Sequence, residues 1–166
     1  MPYQFLKPNE VIRGDVTRID LNALWAKGIR GFIFDLDNTL MAPHAGVIRA
    51  DVASWLANLN SAGFKSFLLT NNKRELYSTQ AAALLNMPVI WYAAKPNPTK
   101  FNEALELLQL PPSAVAVVGD RPLTDIWGGQ RIGAYTILVD PLIKDEESKL
   151  IQYLRALERA FIQAPF

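Results

Sequence analysis

Five short runs of apolar, β-branched and aromatic residues recur along the chain, at Gly31–Phe34, Phe64–Leu69, Val89–Tyr92, Val115–Val118 and Tyr135–Val139. Most are apolar at consecutive rather than alternate positions, the pattern of strands buried on both faces in a parallel sheet covered by helices. The segments between them carry helical spacing. Val52, Trp55, Leu56 and Leu59 share a face ahead of Gly63. Leu76, Ala83 and Leu84 lie in the next segment, and Phe101, Ala104, Leu105 and Leu108 in the one after. Asn97-Pro98 opens that last segment as a cap followed by proline at the first helical position, and Pro111-Pro112 closes it. The alternation predicts an α/β fold: a doubly wound three-layer sandwich around a five-stranded, mainly parallel sheet.

A chain of 166 residues suits one domain of this kind. Residues 1–29 read as an N-terminal extension with a short helix at Leu21–Ala26, residues 30–140 as the core, and residues 141–166 as a C-terminal helical segment. In the last of these, a helix over roughly 146–162 places Leu150, Leu154, Leu157 and Phe161 on one stripe. The formal net charge of +1, from 17 basic and 16 acidic residues, gives no global field for nucleic acid, and none is expected as a partner. With no cysteine and a single histidine, His44, thiolate chemistry, His-rich zinc sites and Ser-His-Asp relays fall away. Any chemistry must come from carboxylates, lysine, hydroxyls and backbone groups. The N-terminus carries charges and prolines where a secretion signal needs an apolar run. The longest uncharged stretch, Leu76 to Ala94, holds Ser78, Thr79, Gln80, Asn86 and Pro88, so it reads as helix, break and strand, not as a membrane span. A cytoplasmic protein is expected.

The polar residues at the strand ends are the informative ones. In GFIFDLDNTL an apolar strand runs directly into Asp35, Asp37 and Thr39. Ligands of open α/β sheets bind beyond the carboxyl ends of the strands, where this acidic pair falls. Two carboxylates leaving a buried strand repel one another unless a cation or a shared proton compensates. The second strand ends in Thr70, Asn71 and Asn72; the threonine offers a hydroxyl, and Asn72 with Glu75 has the spacing of a helix cap. The fourth strand brings Asp120 and Asp125 to the same edge, and Lys95 follows the third. A lone lysine can be a solvated surface charge, but this one lies between a strand end and a capped helix.

DLDNT, the threonine after the second strand, Lys95-Pro96 and the GDxxxxD element together resemble the four motifs of the haloacid dehalogenase (HAD) phosphatase superfamily. IFDLDNTL with TNN and GDRPLTDIWGGQRIGAYTILV is similar, more narrowly, to the YqeG-type branch, related to mitochondrial and plastid phosphatidylglycerophosphate phosphatases. The resemblance implies a phosphomonoester hydrolase with Asp35 as nucleophile, Asp37 as acid and base, and Thr70 and Lys95 as further catalytic groups. It implies Mg²⁺ as cofactor, held by Asp35, the Asp37 carbonyl and Asp120, with Asp125 a ligand or a partner of Lys95. Thr39, Asn71 and Arg121 are then candidate substrate contacts, although Arg121 could equally pair with a nearby acid. Asp35, Asp120 and a phosphate dianion bring four negative charges to one small site, of which Mg²⁺ and Lys95 neutralise three.

In this superfamily a cap domain is commonly inserted after the first motif or between the second and third. The stretch from Thr39 to Thr70 must hold a turn, a helix and a strand, and that from Thr70 to Lys95 a helix and a strand. Neither has room for a cap, so the site is expected to be open and its substrate bulky or surface-borne. The resemblance points to a phospholipid headgroup, with peripheral membrane contact as an option. For the C-terminal helix and the N-terminal segment (Phe5, Leu6, Val11, Ile12 and Trp25 with Lys7, Arg13 and Arg18), packing on the sheet and lying on an anionic membrane are the competing readings. The alternatives for function are a soluble HAD phosphatase acting on a phosphoprotein, sugar or nucleotide phosphate, and a non-hydrolytic module that uses a phosphoaspartate as a switch. His44 reads as a loop residue beside the site, and Gly128-Gly129 as a place of close packing.

Overall fold

The computed structural model describes residues 4–143 and 148–161, the last without its side chain. In chain order its elements are β1 (Glu10–Val11), α1 (Leu21–Ala26), β2 (Gly31–Phe34), α2 (Ala50–Ser61), β3 (Lys65–Leu69), α3 (Glu75–Leu85) and β4 (Val89–Ile90). Then come α4 (Pro98–Leu108), β5 (Val115–Gly119), a π-helical turn at Pro122–Ile126, α5 (Trp127–Arg131), β6 (Tyr135–Leu138) and α6 (Lys149–Phe161). The strands form one parallel sheet in the order β1-β6-β5-β2-β3-β4.

The sheet has six strands where the apolar runs predict five. The additional strand, β1, is two residues long and carries no periodicity of its own. It is fixed instead by pairing: Glu10 lies opposite Ile137 and Val11 opposite Leu138. Beside it, the Asn9 carboxamide accepts from the Thr136 N–H at 2.9 Å, and the Asn9 N–H donates to the Thr136 hydroxyl at 3.1 Å. The N-terminal segment is thus folded onto the sheet edge, with Leu6 buried and Phe5 against Trp127 at 5.2 Å between ring centroids. At the other edge β4 is shorter than the apolar run, because Tyr92 and Ala94 turn into the left-handed region at φ 52° and 54° and leave the ladder.

Alternation along the fully buried strand β2 divides the core. Phe32 and Phe34 pack with Trp55, Leu59, Leu68 and Leu85 on one face. Ile33 joins Phe67, Phe101, Leu108 and Val117 on the other. Helices cover both faces, which is why the strands are apolar at consecutive positions. Gly128 lets α5 come down onto α4, since a Cβ there would stand 2.3 Å from a ring carbon of Phe101. Gly129 does the same against Thr136 and Val117. Between Asp35 and Lys95 the chain holds only loops, α2, β3, α3 and β4, with no inserted domain.

The C-terminal helix does not pack on the sheet through its apolar stripe, the first of its two predicted forms. Leu150, Leu154 and Leu157 of its stripe face outward, at 66%, 40% and 38% exposure, while Arg155 and Glu158 are buried. The physical reason lies beneath it: Asp120, Arg121 and Asp140 are charges that need partners, and α6 supplies them from its polar side. Glu146 and Ile162, the predicted helix ends, lie outside the described residues, as does the side chain of Phe161.

Candidate active site

The chain runs from β2 to β3 and β4 on one side of the sheet, then crosses to β5 and β6 on the other. That reversal opens a crevice beyond the carboxyl ends of β2 and β5, the usual ligand position in such sheets. A cleft of about 380 Å³ lies there, lined among others by Asp35, Asp37, Thr70, Lys95, Arg121 and Arg155.

Asp35 is the first residue after β2, its N–H still on the ladder through Val118 O at 3.0 Å. A tight turn follows, in which the Thr39 and Leu40 amides donate back to Leu36 O and Asn38 sits at φ 64°. The turn aims the Asp37 carboxyl into the cleft, where both of its oxygens accept. Tyr77 Oη donates to Oδ1 at 2.7 Å and Asn72 Nδ2 to Oδ2 at 3.0 Å. Burial and then the neighbouring Asp37 charge push the Tyr77 hydroxyl pKa up, so it remains a donor. The Asn72 cap predicted from the sequence is shifted: α3 starts at Glu75 with Arg74 as its cap residue, Asn72 Oδ1 accepts from the Arg74 N–H at 2.9 Å, and Asn72 Nδ2 turns to Asp37.

Lys95 is not a surface charge. Its ammonium is almost fully buried and donates to Asp35 Oδ1 and Asp125 Oδ1, each at 2.7 Å. Burial alone would push its pKa down, but the charges of Asp125 and Asp35 outweigh that and raise it. Asp125 responds in the opposite sense. Burial pushes its carboxyl up to about 6, and Lys95 offsets only part of the cost. The π-helical turn delivers Asp125 to this position, and its carboxyl lies so close over β5 that a Cβ on Gly119 would come within 2.2 Å of Oδ2.

Carboxylate oxygens of Asp35, Asp120 and Asp125 lie within 4.8 Å of one another. Three buried or half-buried carboxylates at that spacing are a hard-oxygen donor set of the kind that suits Mg²⁺. Asp37 is expected to serve a metal through its backbone carbonyl, and its carboxylate is not among the three of this cluster. Thr39 lies fully buried under the site, its hydroxyl 3.4 Å from both Asp35 Oδ2 and Asp120 Oδ1, and does not line the cleft. Thr70 does line it, with its hydroxyl accepting from the Asn72 N–H at 3.1 Å. Asn71 lies at the rim, but its carboxamide clamps the backbone of Lys95, accepting from N–H at 2.7 Å and donating to C=O at 3.1 Å. Arg121 pairs with an acid, Glu158 of α6, at 2.8 Å, while its N–H donates to Asp125 Oδ2 at 3.2 Å. His44 lies on the rim with its ring 5.8 Å from that of Tyr77 and tilted to it by 44°.

The sequence reading missed Tyr77 and Arg155. Arg155 Nη2 donates to Asp120 Oδ2 at 2.5 Å with both side chains buried. No motif marks either residue. The one signal for Tyr77 was its spacing from the strand-end asparagines, which sets it on the first turn of a helix starting at the cleft.

Residues 92–149 match the HAD-hydrolase-like family model. The chain is 30% identical over 164 residues to the probable phosphatase YqeG of Bacillus subtilis, covering 97% of this chain and 92% of that protein. It is 29% identical over 175 residues to phosphatidylglycerophosphate phosphatase 1, chloroplastic/mitochondrial, of Arabidopsis thaliana, spanning 96% of this chain but only 48% of that protein. Among solved structures, the cobalt-bound deoxy-D-mannose-octulosonate 8-phosphate phosphatase of Haemophilus influenzae superposes with a TM-score of 0.55 at 12% identity, over 82% of this chain and 89% of its own. That last likeness speaks for the fold. With the sheet order, the four strand-end elements and a full-length relative at this identity, the chain belongs to the HAD-like phosphatase family, in its YqeG-type branch.

Proposed function

We propose that this phosphatase hydrolyses a phosphomonoester through an aspartyl-phosphate on Asp35, and that its substrate is a phospholipid headgroup, phosphatidylglycerophosphate yielding phosphatidylglycerol. The observation that carries the chemistry is the placement of two carboxylates with different partners at one cleft floor. Asp35 keeps Oδ1 on Lys95 and has Oδ2 3.4 Å from the Thr39 hydroxyl, and in the proposed step its carboxylate attacks phosphorus as the ester oxygen leaves. Asp37, two residues on, donates a proton to that oxygen. It then takes one from the water that cleaves the acyl phosphate, which restores both carboxyls. Tyr77 and Asn72 hold Asp37 at the angle both transfers need.

Lys95 stays protonated at neutral pH and compensates the charge gathering on the phosphoryl oxygens, with the Thr70 hydroxyl nearby. Mg²⁺ held by Asp35, Asp120 and Asp125 would supply further charge neutralisation and orient the phosphate.

The lipid reading is supported by three observations. No inserted domain covers the cleft between Asp35 and Lys95, so a substrate must itself exclude water. The exposed apolar side of α6 adjoins the cleft mouth, which Ile151 lines. The Arabidopsis relative bears the name of a phosphatidylglycerophosphate phosphatase. No described helix is long and apolar enough to cross a membrane, so contact with a bilayer would be peripheral, through α6.

The test is phosphate release, with Mg²⁺, from phosphatidylglycerophosphate in mixed micelles and from a panel of sugar, nucleotide and peptide phosphates. The lipid is expected to give the highest kcat/KM by at least about tenfold. Faster hydrolysis of a soluble phosphate refutes the lipid assignment and leaves the hydrolase standing. No release from any of them, with a long-lived phosphoprotein, favours a regulatory module.

A further inference from the structure

We propose that α6 is a latch that competes with a divalent cation for Asp120, with Arg155 as the competing charge. This rests on the reading of Asp35, Asp120 and Asp125 as a cation site, and adds to it a second, internal occupant.

An amphipathic helix ordinarily buries its apolar stripe and leaves its charges in water. Here the helix is turned over. Leu150, Tyr153, Leu154 and Leu157 face solvent, while Arg155, Glu158 and Arg159 face the protein. Its attachment is a row of ionic contacts: Arg155 to Asp120 at 2.5 Å, Glu158 to Arg121 at 2.8 Å and Arg159 to Asp140 at 2.8 Å. Leu150 and Tyr153 are exposed to 66% and 62% and Leu154 and Leu157 to 40% and 38%, so the charged groups of Arg155 and Glu158 are the buried part of the attachment and the part a cation can compete for. The contact is also incompletely satisfied. Glu158 Oε2 and Arg121 Nε are buried without a hydrogen-bond partner among the described residues.

The charge count at the carboxylate cluster sets the competition. Among the described residues, Asp35, Asp120 and Asp125 against the Lys95 and Arg155 charges that contact them leave one net negative charge with the latch closed. A divalent cation added to that arrangement reverses the sign and crowds two cations onto Asp120. Releasing Arg155 restores neutrality. Cation binding and latch closure therefore oppose each other in the substrate-free enzyme, and by linkage each weakens the other by the same factor.

The experiment uses the full chain, with Mg²⁺ as the probe. Its affinity is measured by titration calorimetry on the native protein and on Arg155→Gln, Arg155→Lys, Glu158→Gln and Asp120→Asn. Hydrogen exchange of the α6 amides is followed with and without Mg²⁺. Arg155→Gln is expected to bind Mg²⁺ about tenfold more tightly or better, since it removes a like charge at contact distance. Arg155→Lys should stay near the native affinity, and Glu158→Gln, which loosens the latch without touching Asp120, should tighten binding by a smaller factor. Saturating Mg²⁺ should speed exchange in α6 of the native protein and leave the core strands unchanged.

If Arg155→Gln does not fold, Glu158→Gln and the native exchange experiment carry the test. Mg²⁺ that binds the native protein and is lost in Asp120→Asn, with equal affinity in the latch variants and unaltered α6 exchange, overturns the latch but not the cation site. Mg²⁺ that binds none of the proteins overturns both.

Discussion

Replacing Lys95 by methionine keeps the length and packing of the side chain and deletes its charge, leaving Asp35 and Asp125 facing each other at the cleft floor. Lys95 makes two charge-assisted hydrogen bonds at 2.7 Å, one of them to an equally buried carboxylate. Bonds of that type are worth about 1.5–3 kcal/mol each. Removing one partner of a buried pair costs about 3–5 kcal/mol. We expect a loss of about 4 kcal/mol at pH 7, a large share of a domain's typical ~5–15 kcal/mol.

The loss is pH-dependent with a defined sign. Burial has already raised the Asp125 pKa from its ordinary value of 3.8 to about 6, so the folded state binds its proton more readily than the unfolded state. A carboxyl raised in this way costs stability above its folded pKa, and the cost disappears as pH falls toward the unfolded value. Without Lys95 the folded value climbs further, and below about pH 5 the variant holds a neutral Asp125 with little repulsion. Urea denaturation in chelator-containing buffer would read this directly. With a slope of roughly 2 kcal/mol/M, the midpoint should drop by about 2 M at pH 7 and by clearly less at pH 5. A variant as stable as the native protein at pH 7, or one equally weakened at both pH values, refutes this reading of the buried cluster.

Other perturbations probe separate parts of the molecule. Tyr77→Phe removes one charge-assisted bond to Asp37 and should lower kcat by about tenfold to a hundredfold with KM little changed; an unaltered kcat would show that Tyr77 does not position the acid. Gly119→Ala would drive a methyl into the Asp125 carboxyl at 2.2 Å, so both thermal stability and turnover should fall; normal turnover would mean that the Asp125 position is not needed. Asp15 has its pKa held below 3.8, because hydrogen bonds from Thr17 and Arg49 outweigh burial. Its charge therefore stabilises the fold above that value and ceases to as pH falls through the lower folded one. Asp15→Asn should cost under about 1 kcal/mol at pH 7 and progressively less as pH falls below 3.8, as followed by denaturation across that range.

The layered fold was legible because each strand of the central sheet is buried on both faces and so carries its own apolar signal. β1 was not, since two residues pinned by Asn9 and Thr136 have no period to read. Asp35 and Asp120 were legible because a carboxylate at the end of an apolar strand is anomalous and must be compensated; Asp125 and Lys95, beyond the strand ends, were marked by the resemblance of GDxxxxD and Lys95-Pro96 to the family's motifs. Thr39 and Asn71 were placed correctly along the chain, yet their side chains serve the framework beneath and beside the cleft. What escaped was a partnership across distance. Tyr77 reaches Asp37 from a helix whose pattern is dominated by small residues, and Arg155 meets Asp120 from a helix whose leucine stripe argues for the opposite orientation. Hydrophobic periodicity assigns the inner face of a helix only when the surface it covers is apolar, and the surface beneath α6 is charged.

The most direct measurement is the mass of the protein quenched in acid during turnover of a phosphomonoester, with the modified peptide sequenced. One phosphoryl group on Asp35, absent from an Asp35→Asn protein that is folded and inactive, is the expected result. A phosphoryl group on another residue, or an Asp35→Asn protein that still turns over at the native rate, would contradict it.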